Sequence, residues 1–300
     1  MSHALSEPRI SSLIWPDTAR DRAALKPRKI KAREAVIPRR ASAPDSGLAN
    51  GQRRSVWRES LAMVQAHLPY TRRTVRAKET IYRCGDPFDM LYLINCGSCK
   101  ILNLSVDGRE QPVDFCLKGD WLGFDGIASA RHACSAVALD SGELLAIPYS
   151  AMLQASVASP EVMQVLLGAM SEQLTHNRDR ALSVCTLAAD ARVADFLLHW
   201  AQALAERDLR NDEIAVHMTR ADIGRHLGIT LESVSRAFTK MQQHGVIRFG
   251  DNARRNIGIP SLSALSAFVH DHNALEQRRL NQRDTRLPAP APWRQQVRPC

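Results

Sequence analysis

The stretch that decides the fold runs from Thr219 to Val246 and reads TRADIGRHLGITLESVSRAFTKMQQHGV. Thr219 can cap a helix, with Asp222 three residues on as the acidic partner of a capping box. Ile223 and Leu227 then sit one helical turn apart, Gly228 breaks the helix, and Thr230 is placed to cap the next. In that second helix Val234, Phe238 and Met241 recur at the i, i+4, i+7 spacing of a buried face. Glu232, Ser235, Arg236 and Thr239 are left to point elsewhere. Two short helices joined by a tight Gly-containing turn predict a helix-turn-helix, whose second helix enters the DNA major groove. An ordinary helical hairpin in a core has the same apolar pattern.

The polar face of the second helix separates the two readings. An arginine such as Arg236 can pair with the O6 and N7 acceptors of guanine, and a glutamate such as Glu232 can accept from the N4 amino group of cytosine. Ser235 is short enough to allow close approach while offering a hydroxyl. The three lie at i, i+3 and i+4, which puts them on one face. The run LESVSRAFTKMQQHGVI (231–247) resembles the recognition helix of the Crp/Fnr superfamily of bacterial transcription regulators, and its E-x-x-S-R pattern is similar to the Fnr branch. Leu231 stands where the Crp branch carries an arginine that reads an additional guanine. The resemblance spans roughly Trp57 to Phe268 and implies a TTGAT-like half-site repeated as a palindrome. Thr219, Arg220, Thr230, Thr239 and Lys240 are the expected contacts to the DNA backbone.

Composition agrees with a polyanionic partner. Lys and Arg number 40 against 31 Asp and Glu over 300 residues, a formal net charge of +9. Residues 1–55 hold 12 of the basic residues against 5 acidic ones, whereas residues 219–260 hold 7 against 3. The length suggests about two domains with real cores. No apolar run approaches the roughly 18 residues of a membrane span, and the first residues lack the charged-then-apolar order expected of a signal peptide. Seven cysteines at irregular spacing do not read as a secreted disulfide framework, so the expected compartment is the cytoplasm.

Residues 1–55 mix Pro, Ser, Ala and Arg with little apolar periodicity and read as a disordered basic tail. Trp57 to His67 reads as a short helix. From Thr74 to Pro148, short β-prone runs alternate with turns at Gly85, Gly97, Gly108, Gly119 and Gly142, the rhythm of an all-β sandwich or barrel. Val113, Phe115 and Leu117 alternate as a half-buried strand should. The resemblance makes residues 56–156 a β-roll, cyclic-nucleotide-binding-like sensor domain.

Several effectors are conceivable for such a domain. Binding a cyclic nucleotide in this family implies a glutamate for the ribose and an Arg-Ser pair for the phosphate. Phe124 and Cys134 occupy the glutamate and arginine positions. An iron–sulfur cluster needs four cysteine thiolates. No cysteine precedes Cys84, and the fourth position of the cluster-bearing relatives aligns with Leu145. Cys96-Gly97-Ser98-Cys99 has C-x-x-C spacing but straddles a predicted hairpin turn, so it lacks the helix N-terminus that would activate a thiol. A single such pair is half a tetrahedral metal site. Cys96 and Cys99 are therefore candidate redox residues whose alternative is a structural role. Cys84, Cys116, Cys134 and Cys185 read as packing residues. His132 and His67 are conceivable haem ligands, although no C-x-x-C-H occurs. The expectation is a chain with no bound cofactor and no metal.

Ser159-Pro160-Glu161 starts a helix, with Pro at its first position. From there Met163, Leu167, Met170, Leu174, Asn177, Ala181 and Val184 follow steps of 4 and 3, a period of 3.5 that marks a coiled-coil seam. An amphipathic helix packed only on the β-domain is the alternative. The resemblance places the dimerisation helix at residues 159–187. Asn177, the polar seam residue, can hydrogen-bond across a homodimer where an acid would repel. Val193, Phe196, Leu197, Trp200 and Leu204 form a core face for the domain at 188–270. Val246–Phe249 and Asn256–Ile259 predict the wing of a winged helix, with Arg254 and Arg255 at its tip as phosphate contacts. Ser261 to His270 predicts a terminal helix, and residues 271–300 a loose tail. The fold class expected is α+β: an N-terminal β-roll, a long dimerisation helix and a C-terminal winged helix-turn-helix. Double-stranded DNA, a second copy of the chain and, by resemblance, RNA polymerase at turns such as Lys118 to Asp120 are the expected partners, with no membrane. No phosphate-cradling Gly loop, H-E-x-x-H or G-x-S-x-G motif suggests an enzyme.

Overall fold

The N-terminal half is built from short strands because Gly-centred turns interrupt the apolar runs every dozen residues or so. The computed structural model describes residues 56–105, 108–250 and 256–284, with side chains through 274. Helix α1 (Val56–His67) leads into β1 (Thr71–Val75), β2 (Thr80–Tyr82), β3 (Met90–Cys96) and β4 (Cys99–Leu104). Strands β5 (Glu110–Cys116), β6 (Trp121–Leu122), β7 (Ser135–Ala138) and β8 (Gly142–Pro148) complete two antiparallel four-stranded sheets, in the orders β1-β8-β3-β6 and β2-β7-β4-β5. Ile94, Ile101, Cys116, Leu122, Ala136 and Leu144 fill the space between them. The other face of the first sheet carries Leu91, Leu93, Leu145 and Ile147, covered by α1 and the helices that follow the roll. Trp121 packs there too, its indole N–H donating to the buried Ser60 hydroxyl at 2.9 Å.

Three features of this half depart from the sequence expectation. Strands β1 and β6 were not expected: β1 is a mostly exposed run of Thr and Arg at a sheet edge, and β6 has two residues. The alternation of Val113, Phe115 and Leu117 is broken by a bulge, since Ile101 opposes Asp114 and Leu102 opposes Pro112. Val113 therefore packs toward the interior of the roll, while Phe115 and Leu117 join the core of the helical domain. The turn Lys118 to Asp120 is also no free surface. Gly119 is buried at φ +88°, where an added Cβ would lie 2.4 Å from that of Trp57. Arg207 donates to the Lys118 carbonyl at 2.7 Å and ion-pairs with Asp120. The turn is a joint between domains.

Helix α2 (Tyr149–Ala158) closes the roll and α3 (Pro160–Thr186) leaves it as 27 residues of continuous helix. Val162, Leu166 and Ala169 bury one face of α3 against the roll side. Leu167 and Leu174 remain 57% and 56% exposed on another face. Helix α4 (Ala189–Glu206) then opens the second domain, followed by β9 (Glu213–Ala215), α5 (Arg220–Leu227), α6 (Leu231–Gln243), β10 (Arg248–Phe249) and β11 (Asn256–Gly258). The expected hairpin is present, and β9 extends it to a sheet ordered β10-β11-β9. The terminal helix α7 (Leu262–Asp284) runs past the expected end at His270, so the first half of the expected tail is helical. The calls on residues 1–55, and on 285–300 at the other end, lie outside the described residues. Phe196, Leu197, Trp200, Ile223, Phe238, Met241, Ile257 and Phe268 are drawn from every helix and the wing sheet into one core.

Candidate nucleic-acid interface

The helix-turn-helix is locked by the residues that its sequence singled out. The Thr219 hydroxyl accepts from the Asp222 N–H at 3.0 Å, and the Asp222 carboxylate accepts from the Thr219 N–H at 3.3 Å, a closed capping box at the start of α5. Gly228 ends α5 at φ +67°, a left-handed conformation that glycine adopts without strain. The Thr230 hydroxyl then accepts from the Ser233 N–H at 3.1 Å and caps α6. Val234, Phe238 and Met241 are buried, which fixes the rotation of α6 about its axis.

That rotation turns Glu232, Arg236 and Thr239 to the solvent and leaves Ser235 half-buried beside them. Glu232 is held below the usual carboxyl range by its own backbone N–H, the Thr230 hydroxyl and the Arg236 charge, so it is an acceptor at neutral pH. Arg236 donates to the Ser233 hydroxyl at 3.3 Å, a contact that leaves most of its five donors available. Thr239 donates to the Ser235 carbonyl at 3.1 Å. Acid, hydroxyl and guanidinium thus share one outward strip of a rigid helix.

The expected backbone contacts divide into two groups. Thr219 and Thr230 are exposed at helix N-termini, where N–H groups and the helix dipole favour an anion. Lys240 instead donates to Asp190 at 2.6 Å, in the first turn of α4. Arg220 is half-buried with its guanidinium over the rings of Phe238 at 4.7 Å and Phe249 at 5.6 Å. Both cations serve the packing of the domain, a role that spacing alone did not reveal. Arg254 and Arg255 lie outside the described residues.

Sequence reasoning missed how firmly this module is seated on the roll. Lys100 on β4 ion-pairs at 3.2 Å with Asp222, the same carboxylate that closes the capping box. Burial would raise that carboxyl, but the Thr219 hydroxyl and the Lys100 ammonium hold it below its ordinary range. His226 donates from Nδ1 to the Pro112 carbonyl at 3.3 Å, and Arg225 to that of Glu110 at 3.1 Å. The only hint was the presence of polar residues on the inner helix of the motif.

Along α3 the seam residues Met163, Met170, Asn177 and Val184 are half-buried, while Leu167, Leu174 and Ala181 are exposed. Asn177 accepts from Arg180 at 3.1 Å, and Arg180 in turn ion-pairs with Asp114 at 3.3 Å. The polar seam position is tied to its own chain.

In the roll, Phe124 and Cys134, the residues at the expected nucleotide positions, are engaged within the chain: Phe124 stacks on Trp121 with centroids 6.0 Å apart and Cys134 is tied to Asp125. The Asp125 carboxylate accepts from the N–H groups of Ala133 and Cys134 at 2.7 and 3.2 Å. His132 is 4% exposed, stacks on Tyr82 with centroids 3.7 Å apart, and lies 3.6 Å from Asp125. A carboxylate on those backbone donors repels a phosphate, so these residues do not fit a cyclic nucleotide. His67 is exposed at the end of α1, and no described contact joins it to His132. Cys96 is exposed on one sheet, and Cys99 is 2% exposed on the other, opposite Cys116. Burial pushes the Cys99 thiol up to about 12. Among the described residues no group of three His, Cys, Asp or Glu side chains is placed to hold a metal ion.

Known proteins share both halves of this architecture. Residues 72–157 match the cyclic nucleotide-binding domain family and residues 191–268 the Crp-like helix-turn-helix domain family. The transcriptional regulatory protein btr of Bordetella pertussis is 32% identical over 191 residues, which cover 64% of this chain and 79% of that protein. The chain belongs to the Crp/Fnr family. The fumarate and nitrate reduction regulatory protein of Salmonella typhimurium is 31% identical over 203 residues, covering 67% of this chain and 80% of that one. The solved structure of FixK2 from Bradyrhizobium japonicum superposes with a TM-score of 0.60 at 29% identity, covering 67% of this chain and 97% of that one. As a Crp/Fnr protein, the chain has the family's β-roll and its Crp-like helix-turn-helix. No helix among the described residues is long and apolar enough to cross a membrane.

Proposed function

We propose that this Crp/Fnr protein is a homodimeric, sequence-specific transcription regulator and no enzyme, acting in the cytoplasm on a TTGAT-like palindrome. The observation that carries the reading is the outward strip Glu232–Ser235–Arg236 on a helix capped at Thr230 and keyed into its domain by Phe238. Two such helices in a two-fold dimer read half-sites about one helical turn, or roughly 10 bp, apart. The exposed leucines of α3 supply the apolar stripe for the dimer. RNA polymerase then meets a surface other than the Lys118–Asp120 turn, which Trp57 and Arg207 cover.

Regulation here requires neither cyclic nucleotide nor iron–sulfur cluster. Asp125 supports the first statement and the buried Leu145 at the fourth cluster position supports the second. Thiol gating through Cys96 and Cys99 is disfavoured, because one thiol is buried and the pair is divided between two sheets. The base-reading role is tested with Arg236→Ala. The variant should lose about 1–3 kcal/mol of affinity for the TTGAT palindrome and little for a scrambled duplex. An equal loss on both duplexes makes Arg236 a phosphate contact instead.

A further inference from the structure

A cavity of about 230 Å³ lies where β5, α3, α4 and α5 meet; its lining includes neither Asp125 nor any residue of α6. Its inner wall is aromatic. Phe196 and Trp200 are 9% and 7% exposed, and Phe115 packs edge-on to both, with centroids 5.8 and 6.4 Å away. The Trp200 indole N–H is buried and has no hydrogen-bond partner among the described residues. An apolar cavity near 150 Å³ holds benzene, so this volume takes an aromatic ring with a short arm.

The charge around this wall is unbalanced. Five carboxylates line the cavity, against the cations Arg180, Arg207 and His199. Those three are already committed, Arg180 to Asp114, Arg207 to Asp120 and His199 to Asp195 at 3.3 Å. The hydrogen bond to Asp195 raises His199 to about 9, so the count holds at neutral pH. The side-chain carboxylates of Asp179 and Glu206 are exposed at the mouth and make no hydrogen bond or ion pair with a described residue, although the Glu206 carbonyl accepts from the Trp57 indole at 3.0 Å. Burial holds the neighbouring Asp114 and Glu172 carboxyls above their usual range, and the Asp120 charge adds to both. Negative charge beside an aromatic wall suits an organic cation and repels an anion.

We propose that this cavity binds a small aromatic amine, its ring against Phe115, Phe196 and Trp200 and its ammonium between Asp179 and Glu206. The lining includes His226 and Leu227 of α5, so the occupant touches the roll, the long helix and the DNA-reading module at once. Occupancy is thereby linked to the seating of that module. The site stands on its own geometry, and only its regulatory consequence rests on the proposed DNA-binding function.

Calorimetric titration of the full chain with phenethylamine and with phenylacetate tests the assignment without DNA. The two probes share ring and arm and differ in the sign of their charge. Phenethylamine is expected to bind one per chain, with phenylacetate at least about tenfold weaker. The double variant Asp179→Asn/Glu206→Gln, which removes two exposed carboxylates and leaves the Glu206 carbonyl to Trp57, should weaken the amine by about fivefold or more. No binding of the amine, equal binding of both probes, or an unchanged affinity in the double variant overturns the proposal.

Discussion

Thr219 illustrates how much one hydroxyl organises. It accepts from Asp222 and so sets the first turn of α5, and Asp222 carries the same fold onto Lys100 of the roll. Thr219→Ala should therefore destabilise the chain by about 1 kcal/mol, within the roughly 0.5–2 kcal/mol range of lost N-caps, as read by urea unfolding. An unchanged midpoint would mean that the capping box adds nothing here. His226 gives a second prediction at this scale. Burial, reinforced by the Arg180 charge, pushes its imidazole down to about 4 from 6.5. The unfolded chain takes up that proton near its ordinary pKa while the fold refuses it, so stability is lost as pH falls from 6.5 toward 4. The loss is on the order of 2 kcal/mol. His226→Gln keeps a donor for Pro112 and should flatten the decline in unfolding free energy across that window. An equally steep decline would assign the titration to other groups.

Among the elements, α3 presents two apolar faces, one of them belonging to the proposed dimer. Val162, Leu166 and Ala169 hold it to the roll, and Leu167 and Leu174 are exposed on another face. Because both leucines are exposed in the single chain, Leu167→Glu/Leu174→Glu should leave the fold intact and, if the proposed dimer forms through them, yield a monomer in sedimentation. A variant that sediments as wild type moves the dimer contact elsewhere. The β3–β4 hairpin supplies the opposite kind of prediction, one of inertness. Cys99 is sealed between the sheets while Cys96 stays outside, so mild oxidation should yield no Cys96–Cys99 disulfide by mass spectrometry of peptides. A bridged peptide in the native protein would revive thiol sensing.

For the whole molecule, the helical parts were the more legible in the sequence. The period of Val234, Phe238 and Met241, the caps at Thr219 and Thr230 and the break at Gly228 are local signals, and the structure has all of them. Strand β1 is an exposed edge of Thr and Arg that offers no alternation to read, and α2 buries only Met152 along its length. The reversal at β5 depends on a bulge opposite Leu102, a pairing detail that exists only once β4 is alongside. Lys240 and Arg220 look like phosphate ligands in the sequence because their partners, Asp190 and the rings of Phe238 and Phe249, come from elsewhere in the domain. What escaped the sequence is nearly all contact between roll and helix-turn-helix: Lys100 with Asp222, Arg207 with Asp120, and the aromatic cavity between them.

On the proposed function, α6 reads a two-fold DNA sequence from within a dimer. Equilibrium binding of the full chain to a TTGAT-N4-ATCAA duplex and to a scrambled duplex, at one fixed salt concentration, tests it most directly, since phosphate contacts make affinity depend steeply on salt. The prediction is two chains per duplex and a preference of at least about a thousandfold for the palindrome. Equal affinity for the two duplexes would mean that α6 does not read sequence.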